Sequence, residues 1–263
     1  MLLTISGFFI GFLIGLTGVG GGSLMTPLLI LVFNVPTAVA VGTDLLYASI
    51  TKCFGIINHN KNKFIDWGVV KLLLMGSIPS SILTSICLSH FDLTNDSVIS
   101  LIEIFLAFTL ILTSLAIIFQ SGLTKQANKI ARKGFEKHVL NKNSKHHLTL
   151  LLGIILGVIV TFTSVGAGAI GVTVLMILYP RFNIKQIVGT DLAHAVPLTI
   201  TAGMGHLFLG NIDFNLLIAL LIGSIPGVWI GSKVNARVNA LWIKLFLIIL
   251  LIIIAIRLLM SNI

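Results

Sequence analysis

Charged residues are scarce in this sequence. Asp, Glu, Lys and Arg make up 10% of its 263 residues, whereas a typical soluble domain contains about 25%. Hydrophobic residues make up 56%, and the mean hydropathy is +1.09. This composition excludes a soluble globular domain and a disordered chain. At about 20 residues per membrane-spanning helix, the length allows roughly eight hydrophobic segments and no separate soluble domain.

Acidic residues and cysteines are also few. Eight acidic residues are outnumbered by 17 basic ones, which gives a net charge of +9. Most of the bases lie between apolar segments, so the positive-inside rule accounts for them and we expect no nucleic-acid partner. The cysteines, Cys53 and Cys87, lie in apolar runs without metal-ligand spacing, and we expect both to be buried free thiols. The sequence therefore predicts contact with a lipid bilayer, no cofactor and no metal site, and it leaves the oligomeric state open.

Eight apolar stretches alternate with short polar segments. They cover approximately residues 4–33, 38–57, 67–88, 98–119, 148–179, 187–207, 214–232 and 241–260. Stretches of this length favour membrane helices, because a β-barrel would need short alternating strands. We therefore predict an all-α polytopic membrane protein.

The first and fifth stretches each contain a glycine-rich segment. Residues 18–23 read Gly-Val-Gly-Gly-Gly-Ser, and residues 164–169 read Ser-Val-Gly-Ala-Gly-Ala. Both stretches are too long for one ordinary span, and closely spaced glycines favour non-helical backbone. We expect each stretch to form two half-helices that meet at the break, with a re-entrant path as one option. The alternative is a straight helix that packs closely through its small residues.

The second half of the chain repeats the first at an offset of 147 residues, the separation of Gly42 and Gly189. Val-Gly-Thr-Asp-Leu occurs at 41–45 and at 188–192, and Gly-Ser-Ile-Pro occurs at 76–79 and at 223–226. Separate matches in one register indicate an internal repeat. We predict two homologous transmembrane repeats, residues 1–120 and 148–263, joined by a basic cytosolic linker at 121–147.

Loop charges indicate that the two halves have opposite orientations. The basic loop at 59–63 has no basic counterpart at 208–213, because the second half carries its bases in other loops. Eight simple spans would place those bases outside, against the positive-inside rule. If the first and fifth stretches re-enter, each half has three spanning helices and nearly all loop bases lie inside. The sequence therefore predicts an inverted repeat of the kind found in secondary transporters, with a site near the membrane midplane.

The repeated Gly-Thr-Asp places one acid near the start of an apolar helix in each half. An acid inside a membrane segment costs about 3 kcal/mol on insertion scales and usually faces a cavity, a partner or a proton path. We therefore predict proton coupling by Asp44 and Asp191, together with His194, a residue type that titrates near physiological pH. The alternatives are that both acids cap their helices and that His194 only forms bonds within the bundle.

The glycine-rich breaks are predicted to bind the substrate. The N-terminus of a half-helix presents backbone N–H groups and a positive dipole end, which suits a small anion. The alternative is that these glycines only allow helix packing. The predicted substrate-binding residues are Gly20, Gly21, Gly22, Ser23, Thr26, Thr43, Ser164, Gly166, Gly168 and Thr190. We interpret Lys52 and Lys71 as anchors that extend toward the membrane boundary.

A glycine-rich motif followed by proline lies near the start of the chain. Residues 11–29 read Gly-Phe-Leu-Ile-Gly-Leu-Thr-Gly-Val-Gly-Gly-Gly-Ser-Leu-Met-Thr-Pro-Leu-Leu. Together with Gly-Thr-Asp-Leu, Ile65-Asp66-Trp67 and the weaker second copy Val165-Gly-Ala-Gly, this segment resembles the sulfite exporter TauE/SafE family of bacterial membrane permeases. The resemblance covers the chain apart from residues 120–147. It implies a multi-pass protein of the bacterial inner membrane that carries sulfite, a sulfonate or another organic or sulfur-containing anion, usually for export.

These observations predict a secondary transporter for a small anion, coupled to protons, and not an enzyme. A cation–proton antiporter that uses Asp44 and Asp191 is the alternative. An intramembrane aspartyl protease is less favoured, because the Gly-x-Gly-Asp signature is missing and the two acids lie in identical repeat contexts. The substrate, the direction of transport and the coupling ion are left open by the residues themselves.

Overall fold

The computed structural model describes residues 1–17, 24–61, 64–133, 142–234 and 240–260. The described part is helical, which confirms the predicted all-α fold class. Its helices are α1 (Leu2–Thr17), α2 (Met25–Leu31), α3 (Thr37–Lys61), α4 (Trp67–Leu88), α5 (Asp96–Lys133), α6 (Lys142–Thr163), α7 (Ala169–Leu178), α8 (Ile184–Phe208), α9 (Phe214–Val234) and α10 (Ala240–Met260).

Five of the described helices, α4, α5, α6, α9 and α10, are long and apolar enough to cross a membrane. Helices α3 and α8 have 25 residues each but carry more polar residues, and they are not among the five. Many large hydrophobic side chains are exposed on the outer surface, including Phe108, Ile222 and Trp242. Such a surface suits contact with lipid rather than with water. The chain is therefore built as a polytopic membrane protein.

Helix order follows the sequence repeat. Helices α3 and α8 begin at Thr37 and Ile184, and helices α4 and α9 begin at Trp67 and Phe214, so both pairs keep the offset of the repeat. The predicted limits of the two repeats and the linker stay predictions. Helix α5 continues past residue 120 to Lys133, and α6 begins before residue 148, so described helices extend into both ends of the predicted linker.

Helices α6 and α7 form a hairpin around the second glycine-rich segment. The backbone turns at Ser164 and Gly166, whose φ angles of 59° and 109° interrupt the helix. Beyond α7, the hydroxyl groups of Tyr179 and Thr149 are hydrogen-bonded at 2.8 Å, so the chain returns to the end of the bundle at which α6 began. The two arms are unequal, because α6 has 22 residues and α7 has 10.

Each half places its first helix against the fourth helix of the other half. Along α1, a Cβ added at Gly7 would contact the backbone of Leu220, and one added at Gly15 would contact the backbone of Val228. Because both positions advance together, α1 and α9 run parallel. Helices α6 and α4 repeat this arrangement, with Gly153 against Leu73 and Gly157 against Ser77. Small residues allow the backbones to approach closely along both contacts, as is common between membrane helices.

The equivalent helices α3 and α8 run antiparallel. Gly42, in the second turn of α3, lies against His206 near the end of α8, and Gly203 lies against Leu45 and Leu46. Two halves related by an axis along the membrane normal would keep equivalent helices parallel. Antiparallel equivalents are what an inverted repeat requires, and the inverted relation of the two halves stays a prediction.

Two reciprocal hydrogen bonds join the halves. The backbone N–H of Asp213, just before α9, donates to Thr43 Oγ1 at 3.1 Å. The backbone N–H of Asp66, just before α4, donates to Thr190 Oγ1 at 3.0 Å. These residues are equivalent in the sequence repeat. The threonine of each Gly-Thr-Asp motif therefore fixes the start of a helix in the opposite half.

The free cysteines Cys53 and Cys87 are both exposed on the protein surface. The expectation that they are buried was therefore wrong. An apolar run identifies a membrane helix, but it does not show which face of that helix contacts lipid and which contacts protein.

Candidate functional site

Asp44 lies where segments next to the two glycine-rich breaks meet. Its side chain is fully buried on α3. Thr26, at the start of α2, donates a hydrogen bond of 2.6 Å to Asp44 Oδ2. Ser164, at the turn between α6 and α7, also faces this carboxylate. One acid therefore accepts a hydrogen bond from its own half of the chain and faces the turn of the other half.

Asp191 has a similar position on α8. It is 2% exposed, and it packs so closely on α7 that a side chain added at Gly171 would overlap its Oδ1 atom. Each acid thus lies against the short helix of its own half, α2 or α7. Neither Asp44 Oδ1 nor Asp191 Oδ1 has a hydrogen-bond partner among the described residues.

Helix capping does not explain the two acids. Asn183 caps α8, since its side chain accepts a hydrogen bond of 2.8 Å from the Gln186 backbone N–H. Asp191 lies two turns further along this helix, and Asp44 lies at the same depth in α3, which begins at Thr37. Burial of an unpaired carboxylate is costly unless a proton or a cation compensates its charge. The positions therefore favour a functional role for both acids over a capping role.

Lys52 is the residue that the sequence interpretation missed. It lies two turns beyond Asp44 on α3, and it is only 6% exposed. Its ammonium group is within electrostatic range of both Asp44 and Asp191. The interpretation of Lys52 as a boundary anchor was therefore wrong, because the antiparallel packing of α3 and α8 turns this side chain toward the two acids. Lys71 is exposed, as an anchor should be.

Ser77 and Ser224 are equivalent in the sequence repeat. Ser77 faces His194 and Ser224 faces Tyr47, and each of these two residues lies three positions after an acid. His194 Nε2 lies 2.9 Å from Ser77 Oγ, whereas Nδ1 of this ring has no partner among the described residues. Tyr47 faces Ser224, but neither of these hydroxyl groups has a hydrogen-bond partner among the described residues. The nearest hydrogen-bond partner of His194 is thus a serine and not Asp191. Both serines belong to the repeated Gly-Ser-Ile-Pro, a signal in the sequence that was not assigned to the site.

The remaining predicted substrate-binding residues fall into three groups. Gly20, Gly21, Gly22 and Ser23 lie outside the described residues. Gly166 lies in the turn between α6 and α7, and Gly168 directly precedes α7. Thr43 and Thr190 are buried and engaged by the backbone of the opposite half. Substrate binding by these residues stays a prediction, as does proton coupling by Asp44, Asp191 and His194.

Within the described ranges, no three His, Cys, Asp or Glu side chains lie close enough together to hold a metal ion. The buried charged groups that the structure describes at the site are two carboxylates and one ammonium group, all on α3 and α8.

The fold and the site together define a class of protein. A helical membrane protein with an internal repeat, interrupted helices and buried charges where those helices meet is typical of secondary transporters.

Comparison with known proteins identifies the family. A model of the family described as "Sulfite exporter TauE/SafE" matches residues 3–258. The chain therefore belongs to the sulfite exporter TauE/SafE family, as its glycine-rich motif predicted.

Curated relatives agree with this assignment. The chain is 41% identical over 231 residues to the probable membrane transporter protein YjnA of Bacillus subtilis, covering 87% of each chain. It is 25% identical over 235 residues to the probable membrane transporter protein YdhB of the same organism, covering 88% of each chain. It is also 28% identical over 242 residues to the probable membrane transporter protein MJ0441 of Methanocaldococcus jannaschii, covering 87% of this chain and 82% of that one. No solved structure gives a significant match. The family and these relatives are named as transporters and not as enzymes, and the chain is a membrane permease.

Proposed function

We propose that this permease exports a small anion from the cytosol of a bacterium across the inner membrane, in exchange for or together with protons. Sulfite, sulfonates and other organic or sulfur-containing anions are the expected substrates, in keeping with the family description. The observation that carries the proposal is the position of buried Asp44, which accepts a hydrogen bond from Thr26 and faces Ser164 of the other half. A buried, protonatable group that lies between both halves can change its protonation state when the halves move relative to one another.

The orientation of the halves supports the same mechanism. The antiparallel course of α3 and α8 supports an inverted repeat. Bases from separate segments also meet at one end of the bundle. Lys185 lies 5.6 Å from the centre of the Phe64 ring, and Lys71 and Lys145 line a surface pocket of about 470 Å³ beside Asp66. We place this basic end in the cytosol, because positive loops are retained there.

The second break supplies a suitable contact for an anion. Gly168 and Ala169 begin α7, and the first backbone N–H groups of a helix lack partners within it. These donors and the positive dipole end stabilise negative charge. An anion that binds there lies at the turn that also carries Ser164, which faces Asp44. The substrate would then bind next to Asp44, the carboxylate that carries the coupling proton.

A flux assay on the purified protein in proteoliposomes tests this function. Uptake of sulfite, methanesulfonate, sulfate and acetate is measured with and without an imposed pH gradient, and empty liposomes serve as the control. The proposal predicts saturable flux of at least one sulfur-containing anion that accelerates when the gradient is imposed. Saturable flux of Na⁺ or K⁺ with no flux of any anion would overturn it.

That second result would favour cation–proton antiport. The feature that favours this alternative is the pair of carboxylate oxygens, Asp44 Oδ1 and Asp191 Oδ1, that lack hydrogen-bond partners among the described residues. A desolvated cation would find oxygen ligands there. The buried ammonium of Lys52 disfavours this alternative, because it would repel such a cation.

A further inference from the structure

We infer that Lys52 determines the sign of the transported ion, because its ammonium group is the fixed positive charge that binds the anion once the two neighbouring carboxylates have taken up protons. This inference rests on the proposed function and names the residue that would make its site selective for anions. It assigns Lys52 a role in substrate recognition instead of one in anchoring the protein to the membrane.

The position of Lys52 carries the argument. A lysine near the membrane boundary can extend its flexible chain toward water, yet Lys52 is 6% exposed and lies within electrostatic range of Asp44 and Asp191, which are 0% and 2% exposed. The antiparallel packing of α3 and α8 produces this arrangement, since it brings Asp191 and His194 of α8 toward the second half of α3. Lys52 is therefore held inside the bundle by packing and not placed there by its sequence neighbours.

Among the side chains that the structure describes, the other elements that pack on α3 place no competing charge near Lys52; the bases of α5 beyond residue 122 are outside that set. Helix α2 has no charged residue. Glu103 of α5 accepts a hydrogen bond from Thr37 at the opposite end of α3. On α9 the charged residue is Lys233 in the last turn, which lies over the Trp229 ring. The charged and titratable side chains of α6 lie in its first two turns. The charge at the site is thus set by Lys52, the two acids and His194.

The charge count of this group gives a rule for binding. With both acids ionised and His194 neutral, the group carries one net negative charge and repels an anion. One proton makes the group neutral, and a second leaves the ammonium group as one net positive charge. An anion is attracted only in this last state, so the site loads protons and anion together. The buried charge is then neutral when the site is full, which lowers the cost of moving it through a region of low dielectric.

Binding measured against pH tests the rule on the unaltered protein. The probe is radiolabelled methanesulfonate, because a sulfonate keeps its single charge at every pH used, and binding is measured to the purified protein in detergent. The Kd is expected to rise by about tenfold per pH unit where one acid is ionised and by about a hundredfold per pH unit where both are, because both acids must hold protons for the anion to bind. A Kd that stays constant or falls as the pH rises would overturn the inference.

Variants of Lys52 test whether this residue binds the anion or only compensates the negative charge of the buried acids. The Lys52→Met variant is expected to weaken methanesulfonate binding by at least about tenfold, and Lys52→Arg to retain part of the affinity. The Lys71→Met variant removes an exposed lysine and is the matched control, with an unchanged Kd expected.

A double variant keeps the test valid if the single one does not fold. Lys52→Met leaves two buried acids without their counter-charge, whereas Lys52→Met/Asp191→Asn has the same formal charge as the original site. The inference predicts that the double variant elutes as a folded protein on size exclusion and does not bind methanesulfonate. Wild-type affinity in the double variant would show that Lys52 only neutralises the acids.

The outcomes also separate this inference from the proposed function. If the unaltered protein neither binds nor transports methanesulfonate or sulfite, the proposed function fails and the inference fails with it. If it transports an anion and Lys52→Met binds that anion with unchanged affinity, only the role of Lys52 is refuted.

Discussion

The close contact between α1 and α9 gives a prediction whose size follows from the structure. Gly11 of α1 faces Ser224 of α9 so closely that an added Cβ would lie 2.6 Å from the Ser224 Cα atom and 2.9 Å from its carbonyl carbon. Carbon atoms in ordinary contact are about 3.5–4.0 Å apart. The Gly11→Ala variant can therefore fold only if the helices separate by about 1 Å. Overpacking of this kind typically costs about 1–3 kcal/mol.

Gly122 of α5 provides the matched control. A Cβ added there would have no neighbour within 4 Å. Replacing glycine by alanine inside a helix gains about 0.8–1.0 kcal/mol when nothing is displaced. The Gly122→Ala variant should therefore be more stable than the unaltered protein. The same gain offsets part of the cost at Gly11, so the net loss for Gly11→Ala is up to about 2 kcal/mol.

Unfolding by denaturant in detergent, followed by tryptophan fluorescence, measures both effects. Two combinations sharpen the result. Gly11→Ala with Gly227→Ala should cost less than the sum of the single changes, because one separation of α1 from α9 relieves both. Gly11→Ala with Gly153→Ala should be additive, since Gly153 lies in the separate contact between α6 and α4. A gain in stability for Gly11→Ala equal to that for Gly122→Ala would refute the close packing of α1 and α9.

Three further predictions concern orientation, the second break and the contacts between the halves. In a background without cysteines, Lys233→Cys should react with an impermeant label from the cytosol and Asn211→Cys from the periplasm; the reverse pattern is what eight simple spans require. The Gly168→Val variant should insert normally but lose transport, because a branched side chain would stand directly before α7, where the anion is proposed to bind. Unchanged substrate affinity would mean that this glycine only packs helices. The Thr43→Val variant leaves the Asp213 N–H without its acceptor and should destabilise the protein by about 1–3 kcal/mol in the same unfolding assay. The Thr43→Ser variant keeps the hydroxyl acceptor and should retain most of the stability.

Much of the architecture could be predicted from the sequence because it depends on patterns that the chain repeats. The apolar stretches indicated membrane helices, and the second glycine-rich segment indicated the break that separates α6 from α7. The copies of Gly-Thr-Asp singled out Asp44 and Asp191, which the structure buries. These features are local, so neighbouring residues are enough to indicate them.

The surroundings of the acids could not be predicted in the same way. Lys52 and Cys53 are adjacent in the sequence, yet the lysine is buried and the cysteine is exposed. Which face of α3 turns inward depends on its antiparallel contact with α8, a segment more than a hundred residues away. His194 likewise pairs with Ser77 of α4 and not with an acid on its own helix. Such contacts are set by tertiary packing, which the local sequence pattern does not indicate.

Asp44 and Asp191 are proposed to couple protons to the movement of an anion. A gradient of one pH unit can drive accumulation by at most about tenfold per coupled proton, since one pH unit corresponds to about 1.4 kcal/mol. The most direct measurement compares pH-gradient-driven uptake with counterflow exchange of the same anion in proteoliposomes, for Asp191→Asn, Asp44→Asn and the unaltered protein. Each asparagine variant is expected to lose much of its gradient-driven accumulation and to retain exchange, because it can still pass substrate but carries one proton fewer. Wild-type accumulation in both variants would contradict it.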